Sequence, residues 1–178
     1  MFQISNSKHL IYYYSIVVVV LNVNGIGSNT KSLRLTTMVP VWLSEDFKQY
    51  AKDVVDNTKA CCEEFKKLGA IVSDTDNHLF LLNTLDSYSL TGKKAQELLE
   101  SINVTTNKNM IPNDTLSPKE TSGLRIGFAA VTTRGCNKED AIKVASLIHN
   151  FLSNKLTEEE AKQQVKLIVD NWKIIEEI

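Results

Sequence analysis

Three short stretches of this chain hold residue types able to do chemistry. The first is Arg125, inside Gly123-Leu-Arg-Ile-Gly127. In a strand, Leu124 and Ile126 share one face and Arg125 points to the other. A guanidinium between apolar neighbours calls for an anionic partner, and its planar fork matches a carboxylate at two points. The flanking glycines let a ligand or another backbone approach closely. A structural ion pair or an exposed strand arginine would leave the same trace, so the pattern alone keeps these readings open.

The second stretch is Asn107-Lys-Asn-Met-Ile-Pro-Asn-Asp114. Carboxamides donate and accept at once, which suits a heterocycle presenting both kinds of group. Asn, Pro and Asp are also the usual turn formers, and a plain loop is the commoner use. The third is Thr75-Asp-Asn-His78, leading into an apolar run. His78 is a residue type for acid–base work, although a polar cluster entering a strand more often satisfies backbone groups. Cys61 and Cys62 lie on one helical pattern followed by acids and a phenylalanine, which reads as packing rather than nucleophilic chemistry. Phosphate-loop, dinucleotide, zinc-protease and serine-hydrolase signatures are all missing from the sequence.

The elements that must position these groups are legible from Ser44 onward. Ser44 is an N-cap candidate with Glu45 and Asp46 after it, and the stripe Val54, Thr58, Cys61, Phe65 recurs at helical spacing until Gly69. Ala70 to Val72 and His78 to Leu82 read as short buried strands. Thr91 caps a helix carrying Ala95, Leu98, Leu99 and Ile102. Val104 to Thr106 and Leu124 to Ile126 are strand candidates on either side of a polar loop, Asn107 to Pro118. Asn137 caps a helix with Ala141, Ala145, Ile148 and Leu152 in register. Thr157 and Glu160 form a capping box for the last one, with Ala161, Val165, Ile168, Trp172 and Ile175 in its stripe. The sum is an α/β fold: a small, mainly antiparallel sheet covered by helices.

Residues 1–43 read differently, as an irregular stretch unrelated to the domain at 44–178. The apolar run Leu10 to Val23 falls short of the ~20 residues that a membrane-spanning helix needs. Its β-branched and tyrosine content suits a strand, and no A-x-A-like cleavage site follows it. The whole chain has 178 residues and a net charge of −1, so no global field favours nucleic acid or an anionic membrane. With 43% hydrophobic and 23% charged residues it has the balance of one soluble, core-forming domain. Three cysteines, two of them adjacent, form neither a disulfide framework nor a metal site and fit a reducing compartment.

Five segments in order carry a family resemblance: Thr75-Asp-Asn-His-Leu-Phe-Leu-Leu82, Leu90-Thr-Gly-Lys93, Thr106-Asn-Lys-Asn-Met-Ile-Pro-Asn-Asp114, Thr121-Ser-Gly-Leu-Arg-Ile-Gly127 and Val131-Thr-Thr-Arg-Gly135. Each is similar to a motif of serine hydroxymethyltransferase, and the chain resembles the C-terminal small domain of that family, from about Ser44 to about Trp172. The resemblance implies a fold-type I enzyme that interconverts serine and glycine with pyridoxal phosphate and tetrahydrofolate. It implies a homo-oligomer or pairing with a full-length subunit; the cysteine usage suits a cytoplasmic setting, with an organellar one left open. By the same resemblance Arg125 holds the amino-acid carboxylate and Asn109 contacts folate.

The chain also departs from the family. Phe128-Ala129-Ala130 stands where Thr-Pro-Ala is usual, and Asp74 where a second glycine is usual. No lysine sits in the family's T-T-H-K context, so the Schiff-base lysine, and with it a covalent anchor for pyridoxal phosphate, is not expected here. The expectation is a chain inactive alone and without bound pyridoxal phosphate. The alternative is a non-catalytic module, derived from that enzyme, that binds folate or caps a full subunit.

Overall fold

A computed structural model describes residues 20–21 and 45–172. The order is β1 (Val20–Leu21), α1 (Glu45–Lys67), β2 (Leu79–Asn83), α2 (Thr84–Tyr88), α3 (Gly92–Ser101), β3 (Val104–Thr105), β4 (Asn107–Asn109), β5 (Gly123–Gly127), α4 (Ala129–Thr133), α5 (Lys138–Leu152) and α6 (Glu158–Val169). Strand β5 lies between β2 and β4 and runs antiparallel to both, while β1 pairs with β3. The expected α/β architecture with a small antiparallel sheet is what forms.

Local chemistry explains where the helices start and stop. Helix α1 ends in a Schellman turn: Gly69 takes φ +85°, its amide donates to Lys66 O at 3.0 Å, and Ala70 N reaches Phe65 O at 2.9 Å. Thr91 and Asn137 accept from Lys94 N and Asp140 N at the starts of α3 and α5. Thr157 and Glu160 close the reciprocal capping box of α6. Ser44 and Ile175 lie outside the described residues.

Beneath the sheet sits one core. Phe80 and Leu82 of β2 and Leu124 and Ile126 of β5 are buried against Phe65, Leu99 and Ile148. Each such side chain withdrawn from water is worth ~1.5–3 kcal/mol. The rings of Phe65 and Phe80 stand 5.9 Å apart. Helix α1 packs along α5, and Trp172 Nε1 donates to Asp140 Oδ2 at 3.0 Å, fastening the end of α6 to the start of α5. The atypical Phe128 is fully buried in this core.

Several expectations need correction. The Asn107–Pro118 segment is not all loop, because its first three residues form β4. Polar side chains hid a strand whose pairing is made by backbone groups. Helices α2 and α4 are one-turn elements too short for a periodic signal. Of the run Ala70–Val72, only Val72 bridges to the sheet, opposite Leu82. Of Leu10–Val23, Val20 and Leu21 form β1, and the rest lies outside the described residues. Among the described residues, no helix is long and apolar enough to cross a membrane.

Candidate functional site

The β4–β5 ladder sets the site. Asn107 pairs with Arg125, Lys108 with Leu124 and Asn109 with Gly123. Cross-strand partners project to the same side, and that side alternates along each strand. Arg125, Asn107 and Asn109 therefore share one face, with Leu81 of β2 also opposite Arg125. Leu124 and Ile126 point the other way, into the core, and Lys108 is on their side of β4.

Arg125 is half-buried, and its Nε is buried with no hydrogen-bond partner among the described residues. A buried donor without an acceptor is costly, which is what a site awaiting an anionic ligand atom looks like. His78, at the start of β2, is buried beside it. Burial first, and then the Arg125 charge, hold its imidazole below the usual histidine pKa, which favours the uncharged ring. Its carbonyl accepts from Phe128 N at 3.2 Å, tying the β2 entry to the end of β5. The other polar residues of that motif serve the backbone: Thr75 Oγ1 donates to Leu79 O at 2.6 Å, and Asn77 Oδ1 accepts from Leu79 N at 3.0 Å.

Asn109 is half-buried, and its Nδ2 donates to the neighbouring Met110 O at 2.7 Å, which turns the carboxamide along its own backbone. The loop beyond it is organised by Asp114. One carboxylate oxygen accepts from Ile111 N (3.2 Å) and Ser122 N (2.9 Å), the other from Leu116 N (2.9 Å) and Ser122 Oγ (2.6 Å). Desolvation pushes this carboxyl upward, but the four donors outweigh it and hold its pKa at about 2. Sequence reasoning read Asp114 only as a turn former. The contact from Leu116, two residues on, is the Asx-turn signal, whereas the bonds from Ser122 had no local signature.

The cysteines take no part. Cys61, Cys62 and Cys136 are buried and reduced, and desolvation raises all three thiols, Cys136 to about 12. A depression of about 560 Å³ lies elsewhere, between the first half of α1 and the Thr132–Lys138 turn, where Asp46, Asp53 and Asp56 line it. Neither Arg125 nor Asn109 reaches it. Among the described residues, no group of three or more His, Cys, Asp or Glu side chains is placed to hold a metal ion.

Comparison with known proteins decides the family. The family model for serine hydroxymethyltransferase matches residues 33–148. The chain belongs to the serine hydroxymethyltransferase family. It is 45% identical over 127 residues to the serine hydroxymethyltransferase of Mycoplasma mobile, covering 70% of this chain and 30% of that protein. Over 129 residues it is 50% identical to the serine hydroxymethyltransferase of Borreliella burgdorferi, covering 71% and 30%. A probable serine hydroxymethyltransferase of Mesomycoplasma hyopneumoniae is 47% identical over 134 residues, covering 72% and 32%. The chain thus spans about a third of the length of these curated relatives.

Pyridoxal phosphate, which membership of the serine hydroxymethyltransferase family implies, needs an amine to anchor it. The strand face that carries Arg125 offers none, since Lys108, the lysine of these three strands, is on the opposite side. On these three strands the face that carries Arg125 thus offers a guanidinium, a group that suits a carboxylate, and no amine that could anchor the cofactor.

Proposed function

We propose that this chain supplies the amino-acid-carboxylate contact and a folate contact of a serine hydroxymethyltransferase, interconverting serine and glycine with tetrahydrofolate. The reaction needs a lysine-bearing domain to hold pyridoxal phosphate. The observation that carries this reading is the buried Arg125 Nε, without a hydrogen-bond partner among the described residues, on the same sheet face as Asn109. Arg125 binds and orients the carboxylate at two points, fixing the amino acid against rotation. Asn109 presents a donor and an acceptor to the pterin-like edge of folate. The three buried, reduced thiols are in keeping with a cytoplasmic setting.

Reconstitution tests this. The chain is mixed with a separately produced lysine-bearing domain of the Borreliella burgdorferi relative, and serine-to-glycine conversion is followed with tetrahydrofolate present. Conversion by the mixture but by neither part alone supports the proposal. Conversion by the chain alone, or an inactive mixture of two folded, associated parts, contradicts it. Should the inactive chain still bind folate, the non-catalytic binding module becomes the better reading.

A further inference from the structure

Strand β4 has only three residues and pairs with β5 through three positions. The connection from Met110 to Ser122 contains Pro112 and Pro118 and no regular element. The three side chains of this edge strand are polar and give it no apolar face to set its register. Beyond the ladder, Lys108 N donates to Gln96 Oε1 of α3 at 2.9 Å, which holds the middle of the strand but neither end of the connection that follows. Register nonetheless matters here, because a slip of one residue turns Asn109 to the core side and brings Lys108 up beside Arg125.

We propose that Asp114 is a positioning residue that locks the register of β4 against β5, and so keeps Asn109 on the face of Arg125. The carboxylate holds both ends of the connection. Each of its oxygens accepts one bond from the loop after β4, at Ile111 N or Leu116 N. Each also accepts one from Ser122, the residue immediately before β5. Ser122 is buried, so this anchor cannot drift. Ile111, two residues past Asn109, is pressed over Gly123: a Cβ placed on that glycine would lie 2.6 Å from Ile111 Cγ2. Sliding β4 by one residue would move Ile111 off Gly123 and pull its amide from Asp114. The functional value of the lock rests on the proposed roles of Arg125 and Asn109; the lock itself does not.

The experiment is nuclear magnetic resonance on the full chain, comparing the wild type with Asp114→Asn and Ser122→Ala. The readouts are the cross-strand proton contacts Asn107–Arg125 and Asn109–Gly123, with Leu82–Leu124 in the β2–β5 ladder as the internal control. Asp114→Asn places an amide donor against backbone donors, and Ser122→Ala removes one bond. The expected result is loss or broadening of both β4–β5 contacts in Asp114→Asn, a partial loss in Ser122→Ala, and an unchanged Leu82–Leu124 contact. Retention of the β4–β5 contacts in both variants overturns the proposal. Global unfolding of both also overturns it, by making Asp114 a general stability element rather than a local lock. Adding 5-formyltetrahydrofolate to the wild type tests the folate role separately: an Asn109 side-chain signal that does not respond removes that role and leaves the register result standing.

Discussion

Arg125 and Asn109 project from the same face of the sheet because Arg125 pairs with Asn107, and Asn109 follows two residues along the same strand. The alternation that lifts Arg125 out of the core drives Leu124 and Ile126 into it. The Arg125 guanidinium is thus held by two buried neighbours on its own strand and by Leu82 and Phe80 of β2 beneath.

Leu124→Ala should therefore destabilise the fold by about 2–5 kcal/mol, the usual loss for emptying a fully buried leucine site. Urea unfolding of the two proteins measures it. A loss below about 1 kcal/mol would mean that the strand is not packed as described.

Gly92→Ala should be nearly as damaging, although it adds only a methyl group. A Cβ there would sit 2.2 Å from Thr121 Oγ1 and 2.3 Å from Gly123 O, so either α3 or the entry to β5 must move. Overpacking of this kind costs about 1–3 kcal/mol. Thermal unfolding checks it, and an unchanged melting temperature would be inconsistent with this close approach.

Acid should act through Asp114. Its folded pKa of about 2 lies below the ordinary 3.8, so the unfolded chain binds the proton more readily. The stability it contributes is complete above the ordinary value and is lost as pH falls from there toward 2. The stability difference between wild type and Asp114→Asn should shrink across that window. A difference independent of pH would show that the carboxylate's charge is not what the four donors hold.

A second pH effect comes from histidine. His78 and His149 are both held below the ordinary 6.5, in each case by burial first, then by Arg125 and Lys155 respectively. The unfolded chain takes up these protons more readily, so stability present above 6.5 is lost as pH falls below it. His149 also contacts Tyr88 OH through Nδ1 at 3.1 Å and Lys155 Nζ through Nε2 at 3.4 Å, so a protonated ring would face an ammonium. The melting temperature should drop between about pH 7.5 and about pH 5.5, and His149→Gln should flatten part of that slope. A flat wild-type profile would contradict the assignment.

Where sequence and structure agree, the signal was local and physical. Thr91, Asn137 and the Thr157–Glu160 box mark helix starts because a cap is a contact between neighbours in sequence. Arg125 between Leu124 and Ile126 was readable because strand alternation is strict. Strand β4 was hidden: Asn-Lys-Asn has no apolar face, and only its backbone pairing makes it a strand. The Ser122–Asp114 contact and the nearness of His78 to Arg125 were equally invisible, since both depend on how distant segments meet.

The most direct test of the central claim is serine-to-glycine conversion by the reconstituted mixture, comparing wild type with Arg125→Lys. The expected loss is roughly 10- to 100-fold, the value of a charge-assisted bond removed from the two-point grip. Half-saturating serine should rise, while both proteins fold and associate equally. Conversion unchanged by Arg125→Lys would contradict the account, because it would mean that the carboxylate is held elsewhere.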